Sequence, residues 1–166
     1  MKVLEFVRSY LPPDPVIVET GTNLGYSSIV LAQALRDRKA GGIVRTVDIN
    51  PASVTQAREN ALRAGVADLI SFSVGDSLDF LRGLARELDH IDFVFLDGGH
   101  AAAHVIAEFE IVCPLLRARG GKAYFDNSGS GDVAEAINHL RAAFGGNFIH
   151  FANSSWCPPG STLWQP

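Results

Sequence analysis

Five acidic residues stand at the ends of short apolar runs: Glu19 in VIVETGTNLGYSS, Asp48 in RTVDINP, Asp76 in SVGDSLDF, Asp97 in FVFLDGGH and Asp126 in GGKAYFDN. A carboxylate accepts hydrogen bonds from hydroxyls and amines. Asp48, followed by Ile49, is placed to accept from both hydroxyls of a ribose at the end of a second strand. The alternative for Asp48 is a capping or loop aspartate. Asp76, followed by Ser77, could accept from an exocyclic amine such as that of adenine. An aspartate just before a helix is also a common N-cap. The first motif adds two glycines. Gly21 and Gly25 let the backbone pass close to a ligand, and the helix that follows aims its N-terminal amides at whatever lies there, which suits an anionic group. Thr22, Tyr26 and Ser27 belong to the same turn. The spacing is GxxxG, not the GxGxxG of a dinucleotide fold. A tight strand-to-helix turn with no ligand is the plain alternative. The glycine turn, Asp48 and Asp76 together describe an adenosine carrying a charged tail.

These residues need a scaffold that brings them to one edge. The spacing predicts strands at Val16–Glu19, Ile43–Ile49, Leu69–Val74, Ile91–Leu96, Lys122–Phe125, Phe148–Phe151 and Thr162–Trp164. It predicts helices at Ser27–Arg38, Pro51–Ala64, Ser77–Leu88, Ala102–Arg117 and Asp132–Phe144, after a short N-terminal helix closed by LPPDP. Asn50 followed by Pro51 reads as an N-cap with proline in the first turn. Gly65 reads as a terminator, and Gly120-Gly121 closes the fourth of these helices. Five βα units in succession imply a parallel sheet covered by helices on both faces, and the near-continuous apolar strands agree. Ligands of such sheets bind beyond the carboxyl ends of the strands, at the switch in strand order. Every clear parallel strand then ends in a carboxylate on one rim. Like charges gathered there repel one another, so stability alone is a poor reason for them.

The composition narrows the classes. A chain of 166 residues with 47% hydrophobic and 19% charged residues suits one domain with a proper core. A net charge of −4 argues against nucleic acid as the main partner. Cys113 and Cys157 form no CxxC and read as reduced thiols. With Glu5 and Arg8 inside it, the apolar start does not read as a signal peptide, and no run reaches transmembrane length, so the expectation is a cytoplasmic protein with no membrane partner.

The motifs VETGTNLGYSS, TVDINP, VGDS, FVFLDGGH and GGKAYFDN, in this order over Val16 to Asn127, resemble those of the class I S-adenosylmethionine-dependent methyltransferases. Closer still, they resemble the metal-dependent O-methyltransferases of the catechol and caffeoyl-coenzyme A type and related natural-product enzymes. The resemblance implies a single Rossmann-like, doubly wound domain, with a mostly parallel sheet of about seven strands and the last strand antiparallel. It implies S-adenosylmethionine as cofactor. Glu19, Gly21, Thr22, Gly25, Tyr26 and Ser27 would surround the methionine end, Asp48 and Ile49 the ribose, and Asp76 and Ser77 the adenine, with Asp97 close by. It further implies a divalent metal on Asp97, Asp126 and Asn127. Two carboxylates and an amide oxygen are hard ligands that suit Mg²⁺, with water and acceptor oxygens completing the shell. His100 falls where the catechol-type family has a lysine proposed as general base, and an imidazole can take a proton from a hydroxyl.

The implied reaction is Mg²⁺-dependent O-methylation of a small-molecule hydroxyl. The alternatives are a metal-independent methyltransferase, a nicotinamide-dependent oxidoreductase, against which the GxxxG spacing argues, and a cofactor-binding protein without turnover. His100 and His104 are spaced as a zinc pair on a helix would be, but no third ligand of that type follows. His90, His139 and His150 read as loop or surface residues. About fifteen residues precede the first strand, so the N-terminal cap of the catechol-type enzymes is expected to be reduced. Either a large acceptor or a homodimer would then complete the pocket. Trp156 and Trp164 could line such a wall or serve as ordinary packing residues.

Overall fold

The computed structural model describes residues 7–39, 41–129, 131–151 and 160–166. After a helical turn at residues 7–10, the chain runs β1 (Val16–Thr20), α1 (Tyr26–Arg38), β2 (Ile43–Asp48), α2 (Pro51–Arg63), a 3₁₀ turn (Ala67–Leu69), β3 (Ile70–Val74), α3 (Ser77–Glu87), β4 (Phe93–Leu96), α4 (Ala102–Arg119), β5 (Lys122–Phe125), α5 (Gly131–Phe144), β6 (Asn147–Phe151) and β7 (Ser161–Gln165). The strands form one seven-stranded sheet in the order β3-β2-β1-β4-β5-β7-β6. The first five are parallel. β7 lies antiparallel between β5 and β6. The expected doubly wound sheet with an antiparallel last strand is what the chain forms.

Alternation along the central strands divides the core. Ile17, Phe93, Phe95 and Leu163 pack with α1 and α2 on one face. Val18, Val94, Leu96 and Trp164 pack with α3, α4 and α5 on the other. Trp164 is fully buried. Its ring meets that of Phe109 edge-on at 4.9 Å, and Phe109 also touches Phe125 and Phe144. Trp164 is therefore a packing residue, while Trp156 and Cys157 lie outside the described residues. Cys113 is buried in the second face.

Local chemistry fixes the element ends. The Asn50 side chain accepts from Ala52 N with Pro51 in the first turn of α2, and Gly65 follows the helix at φ 72°. β3 starts one residue later than the spacing suggests, because Leu69 closes a turn onto the Val66 carbonyl. β4 starts at Phe93 rather than Ile91: the Ile91 amide bonds to the Leu115 carbonyl, and the Asp92 carboxylate accepts from Val16 N. α4 continues to Arg119 through Pro114. His90 is not an open loop residue. Its ring is only 14% exposed and faces Asp89 and Asp92.

Candidate functional site

The strand order reverses between β1 and β4, since β1 leads outward to β2 and β3 while β4 leads the other way to β5. A crevice opens there beyond the strand ends. Gly21 and Gly98 lie at its base, Asp48 and Ile49 on one wall, Asp76 and Ser77 on the next, and His104 at the far side. The expected residues Gly21, Asp48, Ile49, Asp76 and Ser77 thus share one cleft.

The first turn is shaped by contact with its own chain. Gly21 has φ 86°, and a Cβ on it would meet the Asp97 carbonyl oxygen at 2.3 Å. Gly25, at φ 84°, packs on Ala57 of α2, where a Cβ would lie 3.0 Å from the alanine Cβ. The close approach that the two glycines permit is therefore to Asp97 and to α2, the first of which fixes where Asp97 stands. Gly25 also provides the N-cap of α1 without a side-chain bond. Tyr26 is 76% exposed on the rim, beside half-buried Ser27.

Glu19 and Thr22 carry their side chains beneath this turn. Both are buried. Glu19 Oε2 accepts from the Ser28 and Thr46 hydroxyls, and Thr46 shares a 2.6 Å bond with Thr22. Burial pushes the Glu19 carboxyl up, the Ser27, Ser28 and Thr46 hydroxyls draw it down, and Asp48 adds to the rise. Asp48 closes the loops around the cleft: Oδ2 accepts from Asn23 N at 2.7 Å and Oδ1 from Asn50 N at 2.9 Å. Each carboxyl oxygen that accepts one bond can take a further donor. Asp76 caps α3, its Oδ1 accepting from Leu78 N and Asp79 N. Ile49 is 74% exposed beside the cleft, an apolar wall for a flat ring.

The other half of the site follows β4 and β5. His100 Nε2 lies 3.0 Å from Asn127 Nδ2 and 3.5 Å from Asp97 Oδ1. Asn127 Nδ2 in turn lies 3.3 Å from Asp126 Oδ2. The four residues form one constellation, with Asn127 in the left-handed region at φ 52°, which asparagine tolerates better than most residues. Burial, then repulsion from Asp126, Glu19 and Glu108, pushes the Asp97 carboxyl up to about 7. Burial leads and the neighbouring carboxylates add to it; a divalent ion held by Asp97 and Asp126 would favour the ionised form. Among the described residues no three of His, Cys, Asp and Glu are grouped to hold a metal alone. The donor set is two carboxylates and an amide, which fits a hard ion that keeps water and ligand oxygens.

Two residues of the site were not anticipated. His104 and Glu108, one turn apart on α4, meet beside Ser77. His104 Nε2 is 2.9 Å from Ser77 Oγ and 3.2 Å from Glu108 Oε1. Glu108 is fully buried. Burial pushes it up, while Ser77, His104 and Thr20 hold it down. His100 and His104 face different partners and are no metal pair. Helix α4 begins only at Ala102, so His100 precedes it and helical spacing does not relate the two.

Comparison with known proteins assigns the chain to a family. Residues 18–128 match a family described as a methyltransferase domain. The chain belongs to that family. It is 35% identical over 122 residues to a catechol O-methyltransferase of Mycobacterium tuberculosis, covering 72% of this chain and 52% of the relative. It is 34% identical over 95 residues to the catechol O-methyltransferase of Mus musculus, covering 55% of this chain and 33% of that one. The chain thus spans about half the length of the mycobacterial relative or less of the murine one. Among solved structures it superposes on the O-methyltransferase TomG of Streptomyces achromogenes, involved in tomaymycin synthesis and solved in complex with SAM. The TM-score is 0.76 at 25% identity, over 97% of this chain and 75% of that one. Among the described residues no helix is long and apolar enough to cross a membrane.

Proposed function

We propose that this protein transfers the methyl group of S-adenosylmethionine to a hydroxyl oxygen of a small molecule, with Mg²⁺ or a similar divalent ion held by Asp97, Asp126 and Asn127. The observation that carries the reading is a cleft with a second, carboxylate-bearing constellation at the neighbouring strand ends. Asp48, Ile49, Asp76 and Ser77 suit an adenosine, while Asp97, Asp126, Asn127 and His100 gather at the ends of the adjoining strands β4 and β5. The catechol O-methyltransferases among the relatives and the SAM-bound TomG structure support it.

Each residue has a task in this reaction. Asp48 and Asp76 fix the nucleoside, and the Gly21 turn sets the methionine end over Asp97. Asn127 would contribute its amide oxygen beside the carboxylates of Asp97 and Asp126. When bound, the divalent ion lowers the pKa of an acceptor hydroxyl and fixes its oxygen. The His100 imidazole would take the proton of the acceptor hydroxyl. The oxygen–carbon bond forms as the carbon–sulfur bond breaks, the electron pair stays on sulfur, and the products are the methyl ether, the thioether and one proton. Alignment of oxygen, methyl carbon and sulfur supplies much of the rate.

The test is methyl transfer from labelled S-adenosylmethionine to catechol and other phenols, with Mg²⁺ and with EDTA, on wild type and Asp97→Asn. The expected outcome is transfer that EDTA abolishes and that falls by about a hundredfold or more in the variant. Transfer that survives EDTA unchanged removes the metal from the account.

A further inference from the structure

The contacts of His104 leave one edge of its ring uncommitted. Its Nε2 is held between Ser77 Oγ and Glu108 Oε1. Its Cδ2 edge rests on Gly99, where an added Cβ would lie 2.4 Å from Cδ2 and 2.8 Å from Cγ. The ring nevertheless lines the cleft and is 28% exposed. That leaves the Nδ1–Cε1 edge for the cleft. Glu108 lies directly below the cleft floor, since a Cβ at Gly98 would meet Glu108 Oε1 at 3.1 Å and Thr20 Cβ at 3.0 Å. Among the described residues Glu108 Oε2 is buried without a hydrogen-bond partner, and Oε1 is the oxygen that meets the His104 ring. As a carboxylate, Glu108 accepts at Oε1. An acceptor oxygen beside Nε2 requires the Nε2–H tautomer, and Nδ1 of the neutral ring is left as a bare lone pair.

We propose that His104 reads the purine of the bound nucleoside, with Nδ1 accepting a hydrogen bond from its exocyclic amine and Glu108 acting as the positioning residue that sets the ring's tautomer. This rests on the S-adenosylmethionine reading above and adds to it the group that selects the base. The site should prefer a 6-amino purine over a 6-oxo purine, whose oxygen would face the Nδ1 lone pair without a proton between them. Replacing a donor by an acceptor in a partly enclosed site costs about tenfold or more in affinity.

The experiment is calorimetric titration near pH 8 with S-adenosylhomocysteine and with its deaminated analogue S-inosylhomocysteine, on wild type, His104→Phe, Glu108→Leu and Glu108→Gln. Wild type should favour the adenosyl compound by about tenfold or more, and His104→Phe should reduce that ratio to about threefold or less. Glu108→Leu, which frees the tautomer, should also lose the preference. Glu108→Gln, whose carbonyl can accept from Nε2–H, should keep it, an outcome that a purely structural role for Glu108 would not produce. Wild-type discrimination that persists in His104→Phe overturns the inference while leaving the cofactor reading intact. Failure of wild type to bind S-adenosylhomocysteine overturns both.

Discussion

Without a bound cation, the carboxyl groups under the cleft should make the protein more stable in mild acid than at neutral pH. Asp97 is raised from 3.8 to about 7, by burial first and by Asp126 next. Glu19 and Glu108 are raised by burial as well. A carboxyl whose folded value is raised contributes stability that is fully present below its unfolded value and is lost as pH rises through the folded value. For Asp97 that window runs from 3.8 to about 7. Between pH 5.5 and pH 8 it removes up to about 2 kcal/mol. Water reaches 28% of the side chain, which screens part of this. In a chain of this size the loss lowers the melting temperature by about 4–8 °C. Asp89 is held below its ordinary range, chiefly by His90, so its titration falls outside the window. The assay is thermal or urea unfolding in EDTA across this range, on wild type and Asp126→Asn. The variant loses one of the repulsions on Asp97, so its profile should be flatter and its stability at pH 8 higher. Saturating Mg²⁺ should restore wild-type stability at pH 8 more than at pH 5.5, because the ion competes with the proton on Asp97. A wild-type profile in EDTA that is flat, or that rises toward pH 8, would refute the reasoning.

Other substitutions probe the frame around the site. Gly21→Ala combines a positive φ with a Cβ placed 2.3 Å from the Asp97 carbonyl oxygen; it should cost about 2–4 kcal/mol in urea unfolding and weaken cofactor binding as Asp97 is displaced. Thr46→Val removes the hydroxyl that joins Glu19 to Thr22; unfolding should show a loss of about 1–3 kcal/mol. Phe109→Ala opens the aromatic cluster between α4, α5 and β7; a loss of about 3–5 kcal/mol is expected from the cavity, with the cofactor affinity of the folded fraction unchanged.

The elements were legible because their signals are local. Asn50-Pro51 and Gly65 mark the ends of α2 by cap chemistry, and the apolar runs of β1 and β4 announce strands buried on both faces. Asp48, Asp76, Asp97 and Asp126 followed from the strands, since each is the first polar residue at or after a strand end. Other features depend on contacts that no local spacing encodes. The apposition of Gly21 to Asp97 joins residues on different strands, and it gives the glycine a role in shaping the chain as well as the cleft. Glu19 faces inward beneath the turn, in a network that needs Thr46 of β2. His100 and His104 looked like neighbours on one helix face because the start of α4 at Ala102 decides whether helical spacing applies. Within α4, His104 and Glu108 do keep the i, i+4 relation. That pairing, with a glutamate inside the apolar stretch HVIAEFEIV, was the available sign of a buried polar contact.

The central claim is that the cleft between the ends of β1 and β4 holds an adenosyl cofactor through Asp48. Calorimetric titration of wild type and Asp48→Ala with S-adenosylhomocysteine tests it most directly. The account predicts binding in about the micromolar range for wild type and a loss of about tenfold or more in the variant. Absence of binding to wild type, or equal binding to both proteins, would contradict it.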